Sequence, residues 1–276
     1  MDSTLFLQQL VNGFSLGSMY ALIAVGYTMV YGVLRLINFA HGDIMMVSAY
    51  AALFCITSLN VPFLGALSLA MIFAMVVGIA TDKIAYKPLR KAPRISLLIT
   101  AIGISFFLQN LFNMLFTSTP KAFLPPAYFE ELINMGGVSV TFGSLLVPLI
   151  TFIIVVIVLL ILYKSKYGIA IRALAFDVQT VNLMGIDANR IIAMVFALGS
   201  ALAAVGGVFW ASMYYSITPT MGTLIGLKAF AAAVLGGIGS VVGAVIGGLI
   251  IGLTEVIAVA FFPELSGFKD AFAFIF

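Results

Sequence analysis

The chain holds 276 residues, 63% of them apolar and only 8% charged, with a mean hydropathy of +1.22, where a soluble domain carries about 25% charge. That composition excludes a soluble protein and leaves no room for a soluble domain, because bilayer-spanning helices of about 20 residues each use most of the length. A formal charge of +3 is too small to suggest nucleic acid, and one cysteine, Cys55, rules out an internal disulfide.

The opening run MDSTLFLQQLVNGFSLGSM lacks the basic region and cleavage pattern of a signal peptide and reads as part of the mature chain. Apolar stretches follow at 9–33, 36–58 and 61–80. Next comes TDKIAYKPLRKAPR, whose Lys83, Lys87, Arg90, Lys91 and Arg94 mark a cytoplasmic loop. A fourth stretch, 95–116, leads to residues 117–143, expected to be an external, irregular loop with three prolines and a Gly-Gly pair. The stretch 144–163 returns the chain to the inside, where Lys164, Lys166, Arg172 and Arg190 agree with that side.

Stretches at 191–213, 224–237 and 241–262 complete the set, and a last one opens at 271 and stops at Phe276, which suggests a final span cut short. The 224–237 stretch is short and contains Lys228, so a half-crossing or broken helix is expected, buried by protein at membrane depth. The expected fold is therefore all-α: one polytopic membrane helical bundle over residues 1–276, with about eight membrane segments, one of them broken or re-entrant. Counting back from the basic loop puts the N-terminus outside if both earlier stretches cross fully, and inside if one is re-entrant.

Small residues mark the helix contacts. Gly17, Gly26 and Gly32 punctuate the first stretch, while Gly239, Gly243 and Gly247 fall four apart, as do Gly248 and Gly252. Such spacing lets helix backbones approach closely, whether as plain packing or as flexible walls of a gated passage.

Polar residues inside the oil need a reason, since an Asp, Lys or Arg at a helix centre costs about 2.5–3.5 kcal/mol on insertion scales. Glu255 suits a pore-facing or interhelical hydrogen bond, or else a reach to the headgroups. Lys228 suits snorkelling to an interface, or pairing with a carboxylate in the bundle. In RLINFAHGDIMMVSAY, the only histidine, His41, lies two residues from Asp43. One histidine and no nearby cysteine are too few ligands for zinc, so no metal is expected. Residues two apart do not share a helix face, which disfavours a hydrolytic dyad. No GxxxxGK[ST] is present, so any nucleotide is handled by another chain. If helical, Arg35, Asn38 and His41 form a partial stripe with Asp43 off it. The group suits a hydrogen-bonded joint near a membrane face, a part of a passage, or a contact with a partner.

Residues 168–185, GIAIRALAFDVQTVNLMG, place Ala170, Ala173, Leu174, Val178, Val181 and Leu183 on one side of a helix, with Arg172, Asp177 and Gln179 on the other. Gly185, Asp187 and Asn189 punctuate its end. A cytoplasmic amphipathic helix of this kind lies in the headgroup layer or docks in a groove of a cytosolic partner.

This segment, Arg172 to Ile186, together with GYTMVYGVLRLINFAHGDIMMVSAY and GLKAFAAAVLGGIGSVVGAVIGG, resembles the LivH-type permease subunits of bacterial branched-chain amino acid ABC importers, over nearly the whole chain. The resemblance implies a non-catalytic subunit of the bacterial inner membrane that binds no cofactor itself. Its partners would be a sister permease, two cytosolic ATPases that use ATP and magnesium, and a periplasmic binding protein delivering leucine, isoleucine or valine. It places Arg172, Ala173, Asp177, Gly185 and Ile186 in the ATPase-facing loop, and implies a further C-terminal span. Transport would proceed by alternating access, with Thr28, Asn110 and Asn113 as candidates for the substrate's ammonium and carboxylate. A urea or short-amide importer is the near alternative; a stand-alone secondary carrier and a membrane scaffold are the more distant ones.

Overall fold

The computed structural model describes residues 3–90, 92–135 and 137–274. Lys91 of the basic loop and the end of the last apolar stretch lie outside the described residues, as does the Gln179 side chain. Among the described residues seven helices are long and apolar enough to cross a membrane. They are α1 (Ser3–Leu34), α2 (Ala40–Thr57), α3 (Phe63–Leu89), α4 (Arg94–Phe116), α5 (Phe142–Lys164), α8 (Ala188–Tyr214) and α10 (Val241–Phe261). Two short helices, α6 (Lys166–Phe176) and α7 (Val178–Leu183), follow α5, and α9 (Met221–Leu235) is an eighth apolar segment. A one-turn helix, α11 (Lys269–Phe272), comes last.

Burial separates the helices into a centre and a rim. The apolar spans of α1, α2 and α8 are 89, 72 and 83% buried, whereas α3, α4, α5 and α10 bury 22 to 33% of theirs. The rim helices bury one stripe each: Ala66, Ala70, Ala74 and Gly78 repeat every four residues on α3, while Ile72, Phe73 and Val76 face outward. That is an inside-out arrangement suited to lipid, with small residues inward for close packing.

The tightest packing is between α1 and α10. A Cβ added at Gly252 would strike the Gly17 backbone, and one at Gly248 would come within 2.7 Å of Ala21 Cα. Gly247 lies in the same way against Ala232 of α9, and Gly243 against Gly236. Gly239 does not belong to this ridge: it sits in the α9–α10 turn with φ +100°, and a Cβ there meets nothing. The four-residue spacing runs past the helix start at Val241, where Ser240 caps the first turn.

Two contacts set the direction of the chain. Gln8 Nε2 donates to the Ser139 carbonyl at 2.7 Å, so the N-terminus shares a face with the 117–141 connection. Arg35, at the other end of α1, lies on the α6 side, its guanidinium 3.4 Å from the Ala175 carbonyl. With the basic loops inside, the N-terminus is external and both early stretches cross. The external connection is more regular than its prolines suggested. Strands β2 (Leu132–Met135) and β3 (Val138–Thr141) form an antiparallel hairpin pairing Leu132 with Thr141. Strand β1 (Lys121–Ala122) pairs antiparallel with β4 (Ser216–Ile217), an association too distant in sequence to show in local pattern.

The segment expected as one helix over 168–185 is two. Asp177, at φ −154° and ψ 115°, breaks it between α6 and α7. Gly185 then turns at φ +79°, and the Asp187 carboxylate accepts from the amides of Asn189 and Arg190 to start α8.

Replacing Gly252 by valine should lower stability in detergent by about 1–3 kcal/mol, the usual range for overpacking, seen as a lower thermal midpoint. Gly103→Ala, where a Cβ meets nothing within 4 Å, should hold or raise the midpoint.

Candidate functional site

The polar residues of the membrane interior fall into three groups. The first is the α1–α2 joint. The helix expected from residue 36 begins at Ala40, and residues 35–38 are non-helical, with Arg35 in the left-handed region at φ 52°. Arg35, Asn38 and His41 therefore share no helical stripe. Asn38 Oδ1 accepts from the Tyr86 hydroxyl at 2.7 Å, and the His41 amide donates to the Asn38 carbonyl at 3.0 Å. The His41 ring packs edge-on against Tyr27, 4.6 Å between centroids, in a niche that exists because residue 26 is glycine. Gly26 also touches Gly199, near the middle of α8, so His41 sits buried inside the bundle.

The second group surrounds Asp43, in the first turn of α2 and fully buried. Here α2 meets the start of α9, Gly42 lying against Gly222 and Gly226 with no space for side chains. Gln109 of α4 donates from Nε2 to Asp43 Oδ1 at 3.0 Å; the same nitrogen is 2.8 Å from Thr223 Oγ1 and 3.1 Å from Ser105 Oγ. Asp43 Oδ2 has no hydrogen-bond partner among the described residues. Gln109 is half-buried and Thr223 exposed, so the group reaches the surface of the chain between α4 and α9.

The third group is an ion cluster. Lys228 is 2% exposed and does not snorkel: its ammonium lies 2.8 Å from both Glu255 oxygens and 2.6 Å from Asp270. The Tyr20 hydroxyl donates to Glu255 at 2.9 Å, and Lys228 donates to Tyr20 at 3.2 Å. Glu255, 5% exposed, is an interhelical partner and not a headgroup contact.

The remaining sequence candidates lie elsewhere. Thr28 is buried, its hydroxyl unpaired among the described residues, beside a cavity of about 150 Å³ between α1, α5 and α6. Asn110 is exposed and bonds its own helix at Phe106, so it does not join Asp43. Asn113 Oδ1 is buried without a partner among the described residues. Sequence reasoning passed over Gln109, the neighbour of Asn110, although Ser105 and Gln109 are four apart and share a helix face. Tyr20, Tyr86, Thr223 and Asp270 were also missed, since nothing local marks a partner on another helix.

On the cytoplasmic side, Ile171, Leu174 and Val181 pack inward while Phe176, Leu183 and Met184 are 88, 87 and 77% exposed. Arg172 lies over the Tyr163 ring at 5.1 Å, Ala173 is half-buried, and the half-buried Ile186 closes the segment through its amide to the Val181 carbonyl at 3.3 Å.

A polytopic bundle with short connections, polar groups at membrane depth and an apolar ridge on its cytoplasmic face is a membrane permease in class. The family model described as branched-chain amino acid transport system / permease component matches residues 9–276. The chain belongs to that family. It is 43% identical over 280 residues to the high-affinity branched-chain amino acid transport system permease protein BraD of Pseudomonas aeruginosa, covering 98% of this chain and 91% of that protein. It is 39% identical over 286 residues to the corresponding LivH of Salmonella typhimurium, covering 98 and 90%. A probable LivH of Methanocaldococcus jannaschii is 31% identical over 263 residues, covering 91 and 80%. The chain is a multi-pass transport subunit of the cell inner membrane and not an enzyme.

Lys228→Met should cost about 3–5 kcal/mol, because it leaves the buried Glu255 carboxylate without its cation. Adding Glu255→Gln should recover most of that loss, measured by thermal unfolding of the purified protein.

Proposed function

We propose that this chain is the membrane permease subunit of an ATP-driven importer of leucine, isoleucine and valine, and forms half of the translocation pathway. The observation that carries the reading is the likeness at 39–43% identity over 98% of the chain to permeases of that transport system. Its partners are a sister permease, two cytosolic ATPases and a periplasmic binding protein. The sister permease covers the α4–α9 seam, where Ser105, Gln109 and Thr223 make a polar surface that lipid solvates poorly. The ATPases take the ridge of Phe176, Leu183 and Met184, which exposes more apolar area than a water-facing loop tolerates singly. The residues Arg172, Ala173, Asp177, Gly185 and Ile186 belong to that contact segment.

Such a segment suits transmission. Its outer side is free for a partner, and its inner side is anchored to the bundle through Ile171, Leu174 and the Arg35–Ala175 contact. A push on the ridge therefore bears on the α1–α2 joint, and through it on His41 and Asp43. ATP and magnesium act in the partner subunits. The switch between inward- and outward-open forms is the work this chain performs.

Co-purification in mild detergent should recover the sister permease and an ATPase with the chain. Phe176→Ser with Leu183→Ser should weaken ATPase binding by about a hundredfold or more, since two apolar side chains buried by the partner each contribute roughly 1.5–3 kcal/mol. Uptake by the reconstituted complex should favour leucine, isoleucine and valine; uptake of urea in their place would transfer the chain to the short-amide importers.

A further inference from the structure

The environment of the Gln109 side-chain nitrogen is oversupplied with oxygen. Asp43 Oδ1, Ser105 Oγ and Thr223 Oγ1 stand 3.0, 3.1 and 2.8 Å from it. A carboxamide NH₂ has two hydrogens to give, whereas an ammonium has three. The three distances are those of N–H···O bonds, longer than the 2.0–2.6 Å of magnesium or calcium to oxygen. One of the oxygens belongs to a carboxylate with no cation near it. Among the described residues the ion pairs join Arg90 to Asp82, and Lys228 to Glu255 and Asp270. The other Asp43 oxygen has no hydrogen-bond partner among the described residues, although Asp43 is 0% exposed. A buried carboxylate left in this condition is costly, and the shortfall is one positive charge with hydrogens to donate.

The surroundings complete the description of what fits. Ile44, Met46, Leu108 and Phe112 are buried in one apolar cluster around this seam, with Met221 packed against it. The seam opens at Thr223, on the face assigned above to the sister permease. A molecule matching both features carries a primary ammonium next to an aliphatic side chain.

We propose that Asp43, Ser105 and Thr223 form the site that receives the ammonium group of the amino acid during its passage, and that the Gln109 carboxamide occupies this site until the substrate displaces it. The inference rests on the reading of the chain as an amino acid permease and adds the residues that recognise one end of the substrate. It also separates amino acids from urea, which has no ammonium to answer the carboxylate.

The test uses the whole importer, with sister permease, ATPases and binding protein, in liposomes, and reads leucine accumulated per ATP hydrolysed. Asp43→Asn should lower that ratio about tenfold or more, as expected for loss of charge-assisted hydrogen bonds, and Asp43→Glu should restore part of it. Gln109→Lys tethers an ammonium in the site and should block leucine import about tenfold while the complex still assembles. Thr223→Val, at the exposed rim where folding is not at stake, should give a smaller fall in the same ratio. Unchanged leucine per ATP in Asp43→Asn, or import at the wild-type level in Gln109→Lys, overturns the proposal. A wild-type complex that imports none of leucine, isoleucine and valine overturns instead the functional reading beneath it.

Discussion

Where α2 begins the chain is buried, and each first-turn amide needs an acceptor there. The His41 amide goes to the Asn38 carbonyl, and the His41 ring goes against Tyr27. Much of the interior follows from that solution. The ring fits there because Gly26, beside Tyr27, leaves it room. Gly42 in turn lets the N-terminus of α9 close on α2 through Gly222 and Gly226. With α9 held there, Thr223 meets Gln109, and Lys228 arrives between Tyr20, Glu255 and Asp270. Two helix N-termini, each with positive dipole character, thus converge where Asp43 is placed.

The cytoplasmic segment and this interior are mechanically continuous. Leu174 and Ile171 fasten α6 to the bundle, and the Arg35 contact ties it to the end of α1, five residues before α2 starts its path inward. The cavity beside Thr28 lies between α1, α5 and α6, with Arg172 and Gly239 on its wall. It provides slack at the place where a pushed α6 would move.

The spans were legible because lipid selects composition directly: every apolar stretch from 9–33 to 241–262 became a helix, with ends shifted by up to nine residues. The short 224–237 stretch was equally plain, but the basic segment expected as a loop from residue 81 continues α3 to Leu89. What stayed hidden was long-range. Nothing near Lys228 announces Glu255 and Asp270, and Lys121 gives no sign of Ile217. Local reading also mistook direction. Asn110 attracted notice for its polarity, yet a step of one residue turns a side chain by about 100°, and it is Gln109 that faces Asp43. At Asp177 the apolar periodicity continued while the backbone did not, because periodicity records which residues are buried and not whether one helix carries them.

Helical phase gives the lower end of α3 a separate significance. Its turn at Thr81–Tyr86 is π-helical, wider than the helix on either side, so it holds one residue more than the α-helical path requires. Everything after it is rotated by about 100° relative to an uninterrupted helix. With that offset Tyr86 meets Asn38, and Asp82 meets Arg90, which also reaches Asn189 at the head of α8. Remove one residue from the turn and the helix becomes regular, but Tyr86 swings away from the joint and the buried Asp82 turns from its arginine. The extra residue is therefore a register setting, through which the basic loop is keyed to the start of α2.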